Sequence, residues 1–225
     1  MPPSIVAMIL MGFPLVFFGY SQLLLDRERF SIPGVDFFVT FWIGAALIYA
    51  CKILIVRAVL ASQGWRPGDV GFGLSRRGVA AGIGIYLVLA LGLFGFVEMS
   101  VRAVAFDPEK LAALPGLYPD TTLKRTVFIV MAFVAGISEE LTYRGFAIRA
   151  FESCGINRWL AIPIAALPFV FQHGLKSLDQ FWWFFLSGLA LGALFVASKR
   201  LWPGIIIHWL IILSAMLGIF SAMEG

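Results

Sequence analysis

The 225 residues are 60% hydrophobic and 13% charged, with a mean hydropathy of +0.93. No soluble single domain of this size needs so much apolar surface, so composition predicts an all-α, polytopic membrane bundle. The net charge of +4 is spread over loops without a basic run, which argues against nucleic acid as a partner. Cys51 and Cys154 are too few for a disulfide framework and lack metal-ligand spacing. Both read as small packing residues.

Apolar length and charged boundaries place about seven transmembrane helices. The first runs from about Ile5 to Leu25 and stops at Asp26-Arg27-Glu28-Arg29. Met1-Pro2-Pro3-Ser4 puts no Lys or Arg ahead of it. The pattern of a secretory leader is therefore missing, and the segment is expected to stay as a span. The second covers about Phe37 to Leu60, with Lys52 expected to snorkel toward an end. The third covers about Val79 to Val101, with Glu98 near its exit.

The fourth span, Thr126 to Phe151, carries Ser138-Glu139-Glu140-Leu141-Thr142-Tyr143-Arg144 near one end. The fifth covers about Pro163 to Leu178 and holds His173. The sixth covers about Phe181 to Ala197, and the seventh, about Pro203 to Phe220, holds His208. Ser62 to Gly78 reads as a segment at the lipid surface. Arg102 to Arg125, with Pro108, Pro115 and Pro119, reads as a rim or partial lid. Gly188-x-x-x-Gly192 permits close helix approach. The chain reads as one membrane domain over residues 1–225, with a catalytic core at 126–220.

Ten of the 17 Lys and Arg fall on the side of the N-terminus, a bias that favours a cytoplasmic N-terminus. Helix rise gives the depth of each candidate. Glu139 lies about 21 Å below Arg125, leaving about 9 Å to the cytoplasmic side. His208 lies about 12 Å from that side, counted from Arg200. His173 fits if its helix starts at Pro163, which gives about 15 Å; a start at Arg158 would lift it to about 22 Å.

Ionisable groups within a span are costly and usually functional. Glu140 and Arg144 stand at i and i+4 and can pair, which leaves Glu139 free to act as a general base. His173 and His208 are the only histidines in the chain. Either can orient a water, donate to an oxyanion or bind a metal. Glu139, His173 and His208 also have the ligand content of a hydrolytic zinc site, although no HExxH signature occurs. The cofactor is therefore none or Zn, and both routes lead to hydrolysis of a carbonyl substrate, most naturally a peptide bond. No Gly-x-Ser-x-Gly is present to support a serine nucleophile.

Glu139-Glu140-x-x-x-Arg144, Phe169-x-x-x-His173 and His208, in that order, resemble the CPBP family of CAAX prenyl proteases and Abi-type, bacteriocin-processing membrane enzymes. The likeness extends to Gly188-Leu189-Ala190-Leu191-Gly192 and Leu201-Trp202-Pro203, and covers roughly Ser138 to Ile212. The resemblance implies an intramembrane endopeptidase in the plasma (inner) membrane, with membrane lipid around it and a site opening to the cytoplasm. The implied substrate is a protein or peptide, with a lipidated C-terminus as one form. It also implies that Glu139 activates water, assisted by Glu140, His173 and His208, with Arg144 and Phe169 in support. A metalloprotease version would bind its ion through Glu139, His173 and His208. The last family motif often reads His-x-x-x-Asn, and here Ile212 takes the Asn place. Ser214, at i+6, lies on a different face of the helix. A non-proteolytic membrane regulator or bacteriocin-immunity-type protein on the same scaffold is the alternative. A transporter is disfavoured, since no inverted repeat is visible.

Overall fold

The computed structural model describes residues 1–31, 33–73, 76–100 and 119–224, of which 28, 30, 89–100, 176 and 215–224 are described as backbone only. Helix α1, Pro3–Ser21, begins with proline in its first turn, where the missing N–H costs nothing. Helix α2, Phe37–Ser62, is capped by Asp36, whose Oδ1 accepts the Val39 N–H at 3.1 Å. Helix α3 is Arg76–Ser100. Helix α4, Thr122–Glu139, is capped by the Thr121 hydroxyl. It runs on without a break through a π-helical segment, Glu140–Phe146, into α5, Ala147–Ser153. Helix α6 is Arg158–Phe171, α7 is Phe181–Ser198 and α8 is Trp202–Glu224. No strand occurs among the described residues.

Each expected span overlaps a helix, the fifth ending at Phe171 rather than Leu178, and among the described residues four helices are long and apolar enough to cross a membrane. These are Pro3–Leu24, Phe37–Ser62, Thr122–Ser153 and Phe181–Ser198. Arg158–Phe171 is apolar but short, about 21 Å against a hydrocarbon core of about 30 Å. The exit of the third span at Val101 lies outside the described residues. So do Arg102, Lys110, Pro108 and Pro115 of the expected lid.

The helices approach closely where side chains are small. A Cβ on Gly192 would lie 2.6 Å from Ile162 Cγ2, and one on Gly188 would lie 3.0 Å from Ala166 Cβ. The Gly188-x-x-x-Gly192 face is thus the seam between α7 and α6, as expected. Gly82 of α3 meets Pro203 of α8 in the same way. Outside the core, Lys124 bridges Asp36 at 3.1 Å and Asp120 at 2.9 Å, tying the start of α2 to that of α4. Slight burial pushes the Asp36 carboxyl up, but the Val39 N–H and Lys124 outweigh it and hold the group below its ordinary value. Lys124 holds Asp120 low as well.

Several expectations need correction. The Glu pair lies mid-helix rather than near an end, as the expected bounds Thr126 to Phe151 already required, within a continuous helix from Thr122 to Ser153. Fourteen residues separate Glu139 from Ser153, about 21 Å of rise rather than about 9 Å. Helix α6 starts at Arg158, not Pro163, since the Asn157 side chain caps it by accepting the Trp159 N–H at 2.9 Å. Residues 158–162 are therefore helical. The two corrections agree with each other. Helix α6 climbs about 20 Å from Arg158 to Phe171, so His173, just past its end, arrives at the level of Glu139.

His208 reaches that level by another route. Helix α8 starts inside the molecule, where Leu201 packs beside Gly145 and its N–H donates to Gly71 O at 3.0 Å. From there His208 is seven residues on, much as Glu139 is six residues back from Gly145. The connection after α2 turns inward here as well as covering the surface, with Val70 fully buried. Lys52 does not snorkel: its side chain is completely enclosed. Cys51 and Cys154 are both exposed rather than packed. Cys51 is turned about 100° away from Lys52 on α2, and Cys154 lies in the turn after α5.

Candidate active site

Glu139 closes α4 and Glu140 opens the π segment, so the two carboxylates diverge where the helix widens. Wide turns of this kind recur at functional sites because they displace a side chain from the α-helical path. The Thr142 hydroxyl donates to Ser138 O at 2.7 Å within the same stretch. Glu140 Oε1 meets Arg144 Nη1 at 3.0 Å, both side chains almost fully buried. The Arg144 guanidinium lies over the Phe169 ring, 4.1 Å from its centre. The i, i+4 pair read from the sequence is therefore formed, and it closes across the π turn.

Glu139 points elsewhere. Its Oε1 accepts the Tyr49 hydroxyl at 2.8 Å. Its Oε2 has no hydrogen-bond partner and faces His208 Nε2 at 3.4 Å and His173 Nε2 at 3.8 Å. The far nitrogens of both rings are engaged. His173 Nδ1 lies 2.9 Å from Phe169 O. A carbonyl can only accept, so that nitrogen carries the proton. His208 Nδ1 lies 3.2 Å from Glu140 Oε1, and a carboxylate assigns its proton in the same way. A lone oxygen of Glu139 and the free edges of two imidazoles thus converge on one spot.

Phe169 holds this constellation together. Its ring stands edge-on to His173, His208 and Tyr143, with centroids 4.9, 5.9 and 5.7 Å apart. His173 also stacks on Phe184 of α7, 3.7 Å between centroids. Every residue singled out in the sequence, Glu139, Glu140, Arg144, Phe169, His173 and His208, is brought to this one place. Ile212, one turn beyond His208, is half-buried. Ser214 bonds the Tyr86 hydroxyl of α3 and is engaged away from the site.

The sequence reading missed Tyr49, Lys52, Tyr143 and Gln172. Tyr143 O–H donates to Gln172 Oε1 at 2.6 Å, and Lys52 Nζ donates to the same oxygen. One signal could have found two of them: Tyr49 and Lys52 are i and i+3 on one helix face, in a span with no other charge before Arg57.

Among the described residues, no three His, Cys, Asp or Glu side chains come together closely enough to hold a metal ion. Glu139, His173 and His208, which would hold the ion in a metalloenzyme, face one another with Glu139 Oε2 3.4 and 3.8 Å from the Nε2 atoms of His208 and His173.

Residues 121–214 match a family described as Rce1-like, type II CAAX prenyl endopeptidase. That stretch contains all six residues named from the sequence and leaves out Tyr49 and Lys52. No curated protein and no solved structure matches the chain.

Proposed function

We propose, on the premise that residues 121–214 are of the type II CAAX prenyl endopeptidase kind, that the chain is an intramembrane endopeptidase whose water is activated by Glu139. The observation that carries this reading is the free Oε2 of Glu139 between two imidazole Nε2 atoms. A water at that point donates one proton to Glu139 Oε2 and is oriented by His173, whose Nε2 accepts the other. As the oxygen attacks the scissile carbonyl, Glu139 takes the proton and passes it to the leaving amine. His208 faces the developing oxyanion. The transfer runs through His208 Nε2, 3.4 Å from Glu139 Oε2, and the Glu140 carboxylate behind Nδ1 stabilises the ring while it carries both protons, as a buried acid does behind a catalytic histidine.

His173 is the most exposed member, with 17% of its side chain accessible, and so marks the open side of the site. A peptide with a lipidated C-terminus suits it, since the chain beyond His173 leads into Phe181, Trp182 and Trp183, which front the apolar surface of α7. The membrane is the inner (plasma) membrane and the site opens to the cytoplasm.

The test is cleavage of a farnesylated CaaX peptide, against its unlipidated twin, by the purified chain in bilayers with product termini sequenced. One defined new terminus, preference for the lipidated peptide and resistance to chelators are expected. Loss of all cleavage on chelation, restored by zinc, would overturn the metal-free scheme. No cleavage, with stable binding of a membrane protein instead, would favour the regulator.

Ile212 offers a finer test. An amide one turn beyond His208 could donate to the oxyanion, a contact worth about 2.7–4 kcal/mol in working sites. Ile212→Asn should therefore raise turnover by about tenfold or more if the native site relies on His208 alone. In a regulator the same change only buries an unsatisfied amide and lowers the melting temperature. Turnover and melting measured on that one variant separate the two.

A further inference from the structure

Lys52 is the buried charge that this scheme leaves unused. It sits in the middle of α2, outside the family-matched segment, and no part of it is exposed. An ammonium withdrawn from water is costly without an anion or acceptors around it. Lys52 has neither in full. Among the described residues no carboxylate reaches ion-pair distance. Its Nζ donates to Gln172 Oε1 and otherwise faces the Tyr143 and Tyr49 rings at 4.8 and 5.3 Å. Methionine would fill the same space without the desolvation cost, so packing does not account for the charge.

Charge balance does. Among the described residues the buried acids and bases are Lys52, Glu139, Glu140, Arg144 and His208, and His208 rests as a neutral ring with its Nδ1 on Glu140. Glu140 and Arg144 neutralise each other directly. Glu139 and Lys52 are left as an anion and a cation in one dry compartment, linked through neutral groups. Lys52 holds Gln172 Oε1 together with the Tyr143 hydroxyl. Tyr49, on the Lys52 face of α2, donates to Glu139, and its carbonyl accepts the Ser138 hydroxyl at 3.2 Å.

We infer that Lys52 is a positioning residue for Glu139, a counter-charge held on the same face of α2 as Tyr49 and out of direct contact, so that it stabilises the carboxylate without occupying its free oxygen. A direct salt bridge would consume the lone pair that a base needs. At low dielectric the charge acts across the gap, which water would screen. The groups around Glu139 are Tyr49 and Lys52 from α2, Glu140, Tyr143 and Arg144 from its own helix, His173 beyond α6 and His208 from α8. Of these, Lys52 is the cation with no carboxylate of its own.

The inference rests on Glu139 as the base, yet its main test needs no substrate. An infrared difference between wild type and Glu139→Gln isolates the Glu139 carboxyl band in the full chain at neutral pH. The band is expected at the ionised-carboxylate position. In a Lys52→Met background the same difference should move to the protonated C=O position, with a melting temperature equal or higher; Lys52→Arg should keep the ionised band. On the farnesylated peptide, Lys52→Met should lower kcat about 10–100-fold with KM little changed. If Lys52→Met does not fold, Tyr49→Phe probes the same link by removing one donor, and the carboxylate band should shift. An unmoved band in the variants that fold overturns the inference. A band that moves in a protein cleaving nothing upholds it and counts against the protease reading alone.

Discussion

Glu139→Gln is expected to lower the cleavage rate by about 10²–10⁴-fold while the protein melts no lower than wild type. The two halves of this result have one origin. The Glu139 oxygen that faces both histidines has no hydrogen-bond donor of its own, which suits a base and costs stability. An amide there would present N–H groups to the two Nε2 atoms and still accept from Tyr49. The variant therefore gains hydrogen bonds as it loses the proton acceptor. Turnover and thermal melting on one preparation check both halves. Cleavage near the wild-type rate would remove Glu139 from the chemistry, and a large drop in melting temperature would make the loss merely structural.

Arg144→Ala carries the largest expected effect on stability. It leaves the Glu140 carboxylate in the core without its cation, a change that costs about 3–5 kcal/mol where buried pairs are broken. Cleavage should fall with stability, because Glu140 Oε1 also holds His208 Nδ1. Arg144→Lys should recover little, since an ammonium cannot lie flat over Phe169 as the guanidinium does. Melting in detergent, read beside activity, is the check. If stability were unchanged and only activity fell, Arg144 would belong to substrate contact.

The site was legible in the sequence where its logic is local or chemically rare. Glu140 and Arg144 announce each other by spacing, and two histidines in apolar spans stand out against a chain with no others. The Gly188–Gly192 seam was legible for a similar reason, since small residues one turn apart on an apolar helix have few other uses. What stayed hidden depends on partners far along the chain. Tyr49 and Glu139 are 90 residues apart, and Lys52 and Gln172 are 120 apart. A lysine in a span looks the same from the sequence whether it reaches for the membrane surface or turns inward. A start of α6 at Pro163 follows from the sequence only when Glu139 is put about 9 Å from the cytoplasmic side, and with Glu139 mid-helix a start at Arg158 brings His173 level with it. Both prolines are accommodated inside the helix, and the cap set the boundary. The wide turn at 140–146 has no local sequence signal that we can identify.

That wide turn has a geometric outcome of its own. A π stretch behaves like an α-helix with one residue slipped in, so the chain beyond it is rotated by about 100° from where an even helix would put it. The apolar stripes of α4 and α5 are out of phase with each other, and each finds different neighbours. Between them, from Ser138 to Ile148, eleven consecutive residues are buried with no outward position at all. For the length of three turns this helix has no back. A label or cross-linker meant to report on the site must be attached on α1, α2 or α7, whose outer faces carry Leu15, Leu47 and Leu186 in the open.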